Sequence, residues 1–593
     1  MVAVPRLPLP DFSLEGFRRQ LANVDALPQL CVLGVVSGLV TGGLMVVFRL
    51  LLSLGGMLLF PDGDPEAFEA LPSALRMLMP LVAAALIGLW LIRLPPEGRR
   101  IGVVHVIDRL TYHQGRFPLR NWLAQWWVGV VSVIGGLSAG REGPAIHLGA
   151  AASTGLGQYL RLPHNSLRVL VACGTAAGIS ASFNTPIAGV IFAMEVVMME
   201  YTIIGFMPVI LASSMGAVVA QLVYGPEPAI GIPDLHLRSL LDLPWILASA
   251  LLIGLLAALF VRVARGHERL QRLPMAPRFA LAALAVAGVA WWYPEVQGMG
   301  YDTLQLALGG AAAVDVLLAV AIGKLLLTAF TVACGIPISI IGPILVVGGA
   351  AGALCGLAGQ ALLPVGASAP EVYALLGMAA MMGAVLQAPL AALMALLELT
   401  HTPGIIMPGM LAVVVASLTS RQLSRSQGFF LTQTRQGLHP LQQPLMQALS
   451  RVSVPAVMER SLVRTSRMVT RDQASALLES NPAWVLIERS TDDKPTLALK
   501  AADLARWLLE HDEPESEDDS ALLDLLEIPG QRLDMAPIHL QATLSEAFER
   551  LNDKALDALY VEHGHRPKQK RISGIITRDA IERYYRFSDS THG

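Results

Sequence analysis

Gly143-Pro144-Ala145-Ile146-His147-Leu148-Gly149-Ala150-Ala151 recurs later in the chain, altered but in register, as Gly342-Pro343-Ile344-Leu345-Val346-Val347-Gly348-Gly349-Ala350. Downstream, Thr185-Pro186-Ile187-Ala188-Gly189-Val190-Ile191-Phe192-Ala193-Met194-Glu195 is matched by Ala388-Pro389-Leu390-Ala391-Ala392-Leu393-Met394-Ala395-Leu396-Leu397-Glu398. Proline to glycine is five residues in both copies, and proline to glutamate is nine in both. Matched anchors in the same order mark an internal repeat. Each proline at 144 and 343 follows a glycine and suits the first position of a helix, so each marks a helix start. Transport folds built from inverted repeats bring such half-helices together near the membrane midplane, their N-termini facing an anion. The bland alternative is a pair of packing breaks in a large helical bundle.

Outward from the repeat, the chain is too apolar for a soluble protein of 593 residues: 54% of residues are hydrophobic and mean hydropathy is +0.55. Uncharged stretches long enough to enter a bilayer core run over 27–48, 77–92, 121–140, 143–160, 169–194, 201–226, 243–261, 279–294, 325–370, 372–397 and 401–420. The 325–370 stretch needs at least two segments. Glycine and proline punctuate them, as at Gly135, Gly136, Gly140, Gly143 and Pro144. Backbone groups freed by such breaks are tolerated at membrane depth only inside protein or along a polar cavity, which points to a permeation site. Residues 1–27 read as a polar cytoplasmic segment with a short amphipathic helix near 14–22 and no signal peptide. Cys31, Cys173, Cys334 and Cys355 lack metal or redox spacing and read as small buried hydrophobes.

Gly140-Arg141-Glu142-Gly143-Pro144 places a carboxylate two residues before the proline that opens a helix. An ionisable group inside the membrane is expensive and marks function. Helix N-termini attract anions through unpaired N–H groups and the macrodipole, so a tethered carboxylate can take the anion's own place. Glu142 then competes with the permeating anion, and its protonation empties the site. A surface helix cap is the structural alternative.

The charge pattern divides the chain. Residues 451–593 hold 44 of the 89 charged side chains. There, strand-like runs (484–488, 558–561, 572–576) alternate with helical patterns (472–479, 501–510, 544–552, 578–586), the mark of a soluble α/β tail. Its halves, 452–512 and 523–593, flank an acidic linker at 513–522, and 436–451 joins the tail to the apolar region. Nothing in the charge balance favours nucleic acid.

Gly140-Arg141-Glu142-Gly143-Pro144 followed by an apolar helix resembles the gating-glutamate signature of the chloride channel/transporter (CLC) family, over about residues 28–435 with repeats near 28–225 and 240–435. The tail resembles a pair of cystathionine-β-synthase (CBS) modules. The resemblance implies an α-helical polytopic membrane protein with the CLC fold, an inverted repeat of broken helices, a soluble CBS pair, a homodimer with one pore per subunit, and a bacterial inner-membrane location with N-terminus and tail cytoplasmic. It carries anion contacts onto Arg141, Glu142 and Gly143, and onto the main chain of Ile340 and Ile341 in Ser339-Ile340-Ile341-Gly342-Pro343. The family's first anion-binding stretch aligns with Arg100–Val104, putting Ile101 at its serine, beside Gly102. Its pore tyrosine falls on Pro403. The second, inner glutamate of proton-coupled members falls on Val196, and the acid assisting proton entry on Ile107. In the tail, Asp503, Thr577 and Asp579 stand near the family's nucleotide pattern, where Lys500 and Ala580 depart from it. An adenine nucleotide is the one cofactor this suggests.

Without the inner acid a proton lacks a station in low dielectric, so the sequence points to a passive chloride or small-anion channel gated by Glu142. A Cl⁻/H⁺ or F⁻/H⁺ antiporter is the alternative within the family. A CBS-regulated cation transporter would need convergent carboxylates, and no metalloprotease, nucleophile-elbow or Walker motif supports an enzyme. Glu195 and Glu398 read as helix-end or loop-binding acids, and His105 and His147 as packing histidines. Asp315 and Lys324 mark two helix boundaries or a buried pair.

Overall fold

The computed structural model describes residues 21, 26–61, 63–201, 203–226, 237–270, 272–362, 368–400, 402–433, 444–488, 495–511, 522–563 and 571–590. The expected helix near 14–22 and the acidic linker at 513–522 lie almost wholly outside them, as do residues 436–443 of the 436–451 joint. The chain divides into two compact units, one built on Leu30–Leu160 with Leu167–Leu438, the other on His439–Gly593 with Arg161–Ser166.

The first unit is helical: α1 Leu27–Leu59, α2 Ser73–Ile92, α3 Gly102–Tyr112, α4 Leu119–Ile134, α5 Glu142–Tyr159, α6 His164–Phe183, α7 Pro186–Phe192, α8 Ile203–Tyr224, α9 Leu243–Ala264, α10 Met275–Ala290, α11 Tyr301–Leu308, α12 Val314–Ala333, α13 Ile341–Leu362, α14 Pro370–Leu386, α15 Pro389–Thr400, α16 Ile406–Ser424 and α17 Phe429–Gln433. Among the described residues eight helical stretches are long and apolar enough to cross a bilayer, and the protein is a multi-pass integral membrane protein. Uncharged runs 169–194 and 372–397, which look continuous in composition, are each broken. Asn184 (φ +61°) and Gln387 (φ +57°) adopt the left-handed conformation two residues before Pro186 and Pro389, and an asparagine or glutamine turn followed by proline stops one helix and starts the next.

The repeat's spacing has a packing cause. A Cβ on Gly149 would stand 2.3 Å from the carbonyl oxygen of Gly174, and one on Gly348 would stand 2.5 Å from that of Gly377. In both copies the helix after the proline therefore meets the next helix backbone to backbone, five residues along. The copies also lock each other. Glu398 accepts from the N–H groups of Ile187 and Ala188, each at 2.7 Å, while Glu195 accepts from Leu390 (3.2 Å) and Ala391 (2.7 Å). Each repeat's glutamate thus caps the other repeat's proline-led helix, satisfying orphan donors and complementing the dipole.

The second unit contains α18 Pro444–Ser450, β1 Leu462–Ser466, α19 Arg471–Glu479, β2 Trp484–Glu488, β3 Pro495–Lys500, α20 Ala501–Glu510, β4 Arg532–His539, α21 Leu544–Asp553, β5 Ala558–His563, β6 Arg571–Thr577 and α22 Arg578–Ser590. The strands form one six-stranded sheet in the order β1-β2-β3-β4-β5-β6. Within each half a parallel pair (β1/β2, β4/β5) is followed by an antiparallel one (β2/β3, β5/β6), and β3 pairs antiparallel with β4 across the halves. Thr470 and Gln473 form a capping box that starts α19.

Candidate anion pathway and its glutamate

The segments leading into α5 and α13 meet main chain to main chain: Gly140 donates to the Ser339 carbonyl at 2.9 Å, and the two residues form an antiparallel bridge. The N-termini of the two proline-led helices consequently face one point, and Glu142 fills it. Its side chain is fully buried. Its carboxylate accepts from the Gly342 N–H at 3.0 Å, from the Ser339 hydroxyl at 3.2 Å, and from the Tyr301 hydroxyl. Ser339 also accepts from the Gly143 N–H at 2.9 Å. A Cβ on Gly140 would lie 2.0 Å from the Glu142 carboxylate, so only glycine lets the side chain fold back over its own entry turn. A carboxylate held by a helix-terminal N–H and two hydroxyls occupies a ready-made anion site.

Tyr301 was not legible as a site residue. It opens α11 after Gly300 (φ +80°), its own N–H donates to Glu66 at 2.9 Å, and its ring packs edge-on against Phe183. Fully buried Lys324 donates to the carbonyls of Val296, Gln297 and Gly298 at 3.0–3.1 Å, fixing the loop that delivers Tyr301. Asp315 lies exposed near the start of α12, so these residues are neither a buried pair nor two helix boundaries. Replacing Tyr301 by Phe removes one donor from Glu142. The expected result is easier displacement of the carboxylate, with about tenfold tighter chloride binding, from the roughly 1.5 kcal/mol of one hydrogen bond to a charged group. Chloride titration calorimetry checks this, and unchanged affinity would remove Tyr301 from the gate.

Beside this point lies a cavity of about 470 Å³, bordered by Ile101, Gly102, Gln125, Gly143, Pro144, Ser339, Ile340, Phe429 and Phe430, with Arg99, Arg100, Arg265 and His267 adding basic character and Asp108 one acid. A mostly cationic rim on an apolar wall concentrates anions.

The expected residues divide. Glu142, Gly143, Ile340, Ile101 and Gly102 gather at the gate or the cavity wall. The donor recorded from the second repeat's main chain is Gly342, one residue beyond the Ile340-Ile341 pair chosen by motif alignment, because α13 begins at Ile341 and its first free N–H groups extend past it. Arg141 turns away, donating to the Ser182 carbonyl at 3.0 Å with its guanidinium near the rings of Tyr301 and Phe183. The Gly102 N–H is taken by the Gln125 carbonyl at 2.7 Å. Pro403 needs correction: it is exposed in a short turn before α16 and does not border the cavity, where the aromatic wall is supplied by Phe429 and Phe430 of α17. The family alignment placed the pore tyrosine's counterpart one helix too early. Val196 and Ile107 are buried in apolar surroundings. His105 and His147 are hydrogen bonded to each other at 2.7 Å, and Arg109 donates to His105 at 2.9 Å. In the tail, Thr577 accepts from the Ala580 N–H at 3.2 Å, Asp579 pairs with Arg583, and Asp503 lies against Gly530.

The family model described as "Voltage gated chloride channel" matches residues 82–421, more than half of the chain. The chain is 31% identical over 359 residues to a "Putative chloride channel protein ClcB-like" of Ralstonia nicotianae, covering 59% of this chain and 84% of that protein. It is 26% identical over 380 residues to an "H(+)/Cl(-) exchange transporter ClcA" of Vibrio parahaemolyticus, covering 61% of this chain and 81% of that one. Among solved structures it resembles a slow cyanobacterial Cl⁻/H⁺ antiporter (TM-score 0.59, 22% identity, 68% of this chain and 96% of that one) and a eukaryotic CLC transporter (TM-score 0.59, 17% identity, 93% and 97%), likenesses that speak to fold. With converging half-helices, a buried carboxylate between them and this match across the repeat, the chain belongs to the voltage-gated chloride channel (CLC) family of anion transport proteins.

Proposed function

We propose that this protein exchanges a small inorganic anion, chloride foremost, for protons, with Glu142 alternately filling the anion site and carrying the proton. The carrying observation is the fully buried Glu142 carboxylate bonded to the Gly342 N–H, at the end of a helix of the opposite repeat. A group in that position leaves only when neutralised or displaced, which ties anion entry to proton binding. Coupling is supported by relatives named as H⁺/Cl⁻ exchange transporters and by structural neighbours titled Cl⁻/H⁺ and fluoride/proton antiporters. This reverses the order suggested by sequence alone, where passive conduction came first. Family membership also displaces the cation-carrier reading.

Passive conduction is the second reading, favoured by Val196, an apolar side chain only 6% exposed where an inner acid would stand. Proteoliposomes loaded with chloride and diluted into chloride-free medium separate the two. Exchange gives proton uptake against chloride exit that persists when the proton gradient opposes it. Chloride exit with no proton movement sinks the exchange reading. On the family resemblance the working unit is a homodimer in a bacterial inner membrane, tail and N-terminus cytoplasmic.

A further inference from the structure

The loop 97–102 that leads into α3 is pinned by two residues one turn apart on α4. Asn121 donates its amide to the carbonyls of Glu97 (2.8 Å) and Arg100 (2.7 Å), and the Gln125 carbonyl oxygen accepts from the Gly102 N–H at 2.7 Å. The orientation of the Gln125 amide is fixed chemically, since a backbone N–H can face only the oxygen. The NH₂ end is therefore not the end that caps α3. Gln125 is 1% exposed, yet it borders the cavity together with Ile101, Ser339 and Phe430. Ile101 and Phe430 offer the cavity no side-chain hydrogen bond, and Ser339 already serves Glu142 and Gly143.

We propose that Gln125 is a specificity-determining anion ligand: its amide N–H groups bind the dehydrated monovalent anion in the cavity beside Glu142, on a wall where Ile101 supplies no donor. This deepens the anion-transport reading and rests on it. Gln125 is already the external N-cap of α3, and capping alone would account for its burial, so the test must separate the amide's two ends. Gln125→Glu keeps an acceptor for the Gly102 N–H but replaces the donor with a carboxylate oxygen that repels an anion. Gln125→Lys loses the acceptor and keeps a donor.

Calorimetric titration of chloride into full-length purified protein, with thermal unfolding measured in parallel, reads both variants. The expected result is at least a tenfold loss of chloride affinity in Gln125→Glu, read on the fraction that unfolding shows to be folded, and affinity within about threefold of the parent in Gln125→Lys even though the cap is lost. Parent-like affinity in Gln125→Glu overturns the proposal, and so does a tenfold or greater loss in Gln125→Lys. Either variant decides alone if the other fails to fold. Chloride binding absent from the unsubstituted protein would instead overturn the anion reading beneath it.

Discussion

Glu142→Gln should abolish proton coupling while anion flux continues, independent of pH. The amide is nearly isosteric with the carboxylate and its oxygen can still meet the Gly342 N–H, so the architecture survives. It cannot titrate, and it has lost the charge that made the contacts to Gly342, Ser339 and Tyr301 strong. Charge-assisted hydrogen bonds exceed neutral ones by about 1 kcal/mol each, and three of them sum to about 3 kcal/mol. The side chain's hold on the site then falls by roughly a hundredfold, and a millimolar anion displaces it readily. Stopped-flow chloride efflux from proteoliposomes between pH 4.5 and 7.5 checks this: the parent's rate rises as the medium becomes acidic, and the variant's is flat. A variant retaining the parent's slope would mean that some other group gates the pathway.

The second large effect is on stability. Glu195→Ala and Glu398→Ala each strip two backbone N–H groups of their acceptor at the start of a proline-led helix. The loss is uneven, because Ile187 and Leu390 are about half exposed and their N–H groups can find other partners, whereas Ala188 and Ala391 are buried. Counting mainly the buried donor in each pair gives about 2 kcal/mol per substitution. Thermal unfolding in detergent should therefore shift downward by a similar amount for either variant. Because the caps join two repeats, the double variant should lose less than the sum if breaking one already loosens the other. No shift in either single variant would show the caps to be incidental.

Much of the fold was legible because the repeat carries its reasons on its surface. Pro144 and Pro343 start helices, Gly149 and Gly348 permit the backbone contacts at Gly174 and Gly377, and Glu195 and Glu398 cap across the pair. The composition was less informative where α6 and α14 end, since a left-handed Asn184 or Gln387 changes no charge and no hydropathy. At the site, Glu142 announced itself by its cost in an apolar segment, whereas Tyr301 and Gln125 sit in helices of ordinary composition and reach the pathway only through tertiary packing. Ser339 was noted for its place in a motif, but its hydroxyl, bridging Gly143 and Glu142, is what the site uses. Pro403 was misplaced because aligning a family motif cannot see that α16 intervenes before the aromatic pair at Phe429 and Phe430 arrives.

The Gly140–Ser339 bridge bears on how fast the cycle can turn. Stitched main chain to main chain, the two entry turns form a rigid collar, and prising them apart would sacrifice paired backbone in a medium that offers no water to replace it. Among the described residues, the Glu142 side chain is the part of the gate that can move without breaking that pairing, and its release costs the bonds to Gly342, Ser339 and Tyr301. The collar therefore leaves the cycle's motion to that side chain, and substitutions that weaken its three bonds should change the rate more than substitutions that stiffen the surrounding helices.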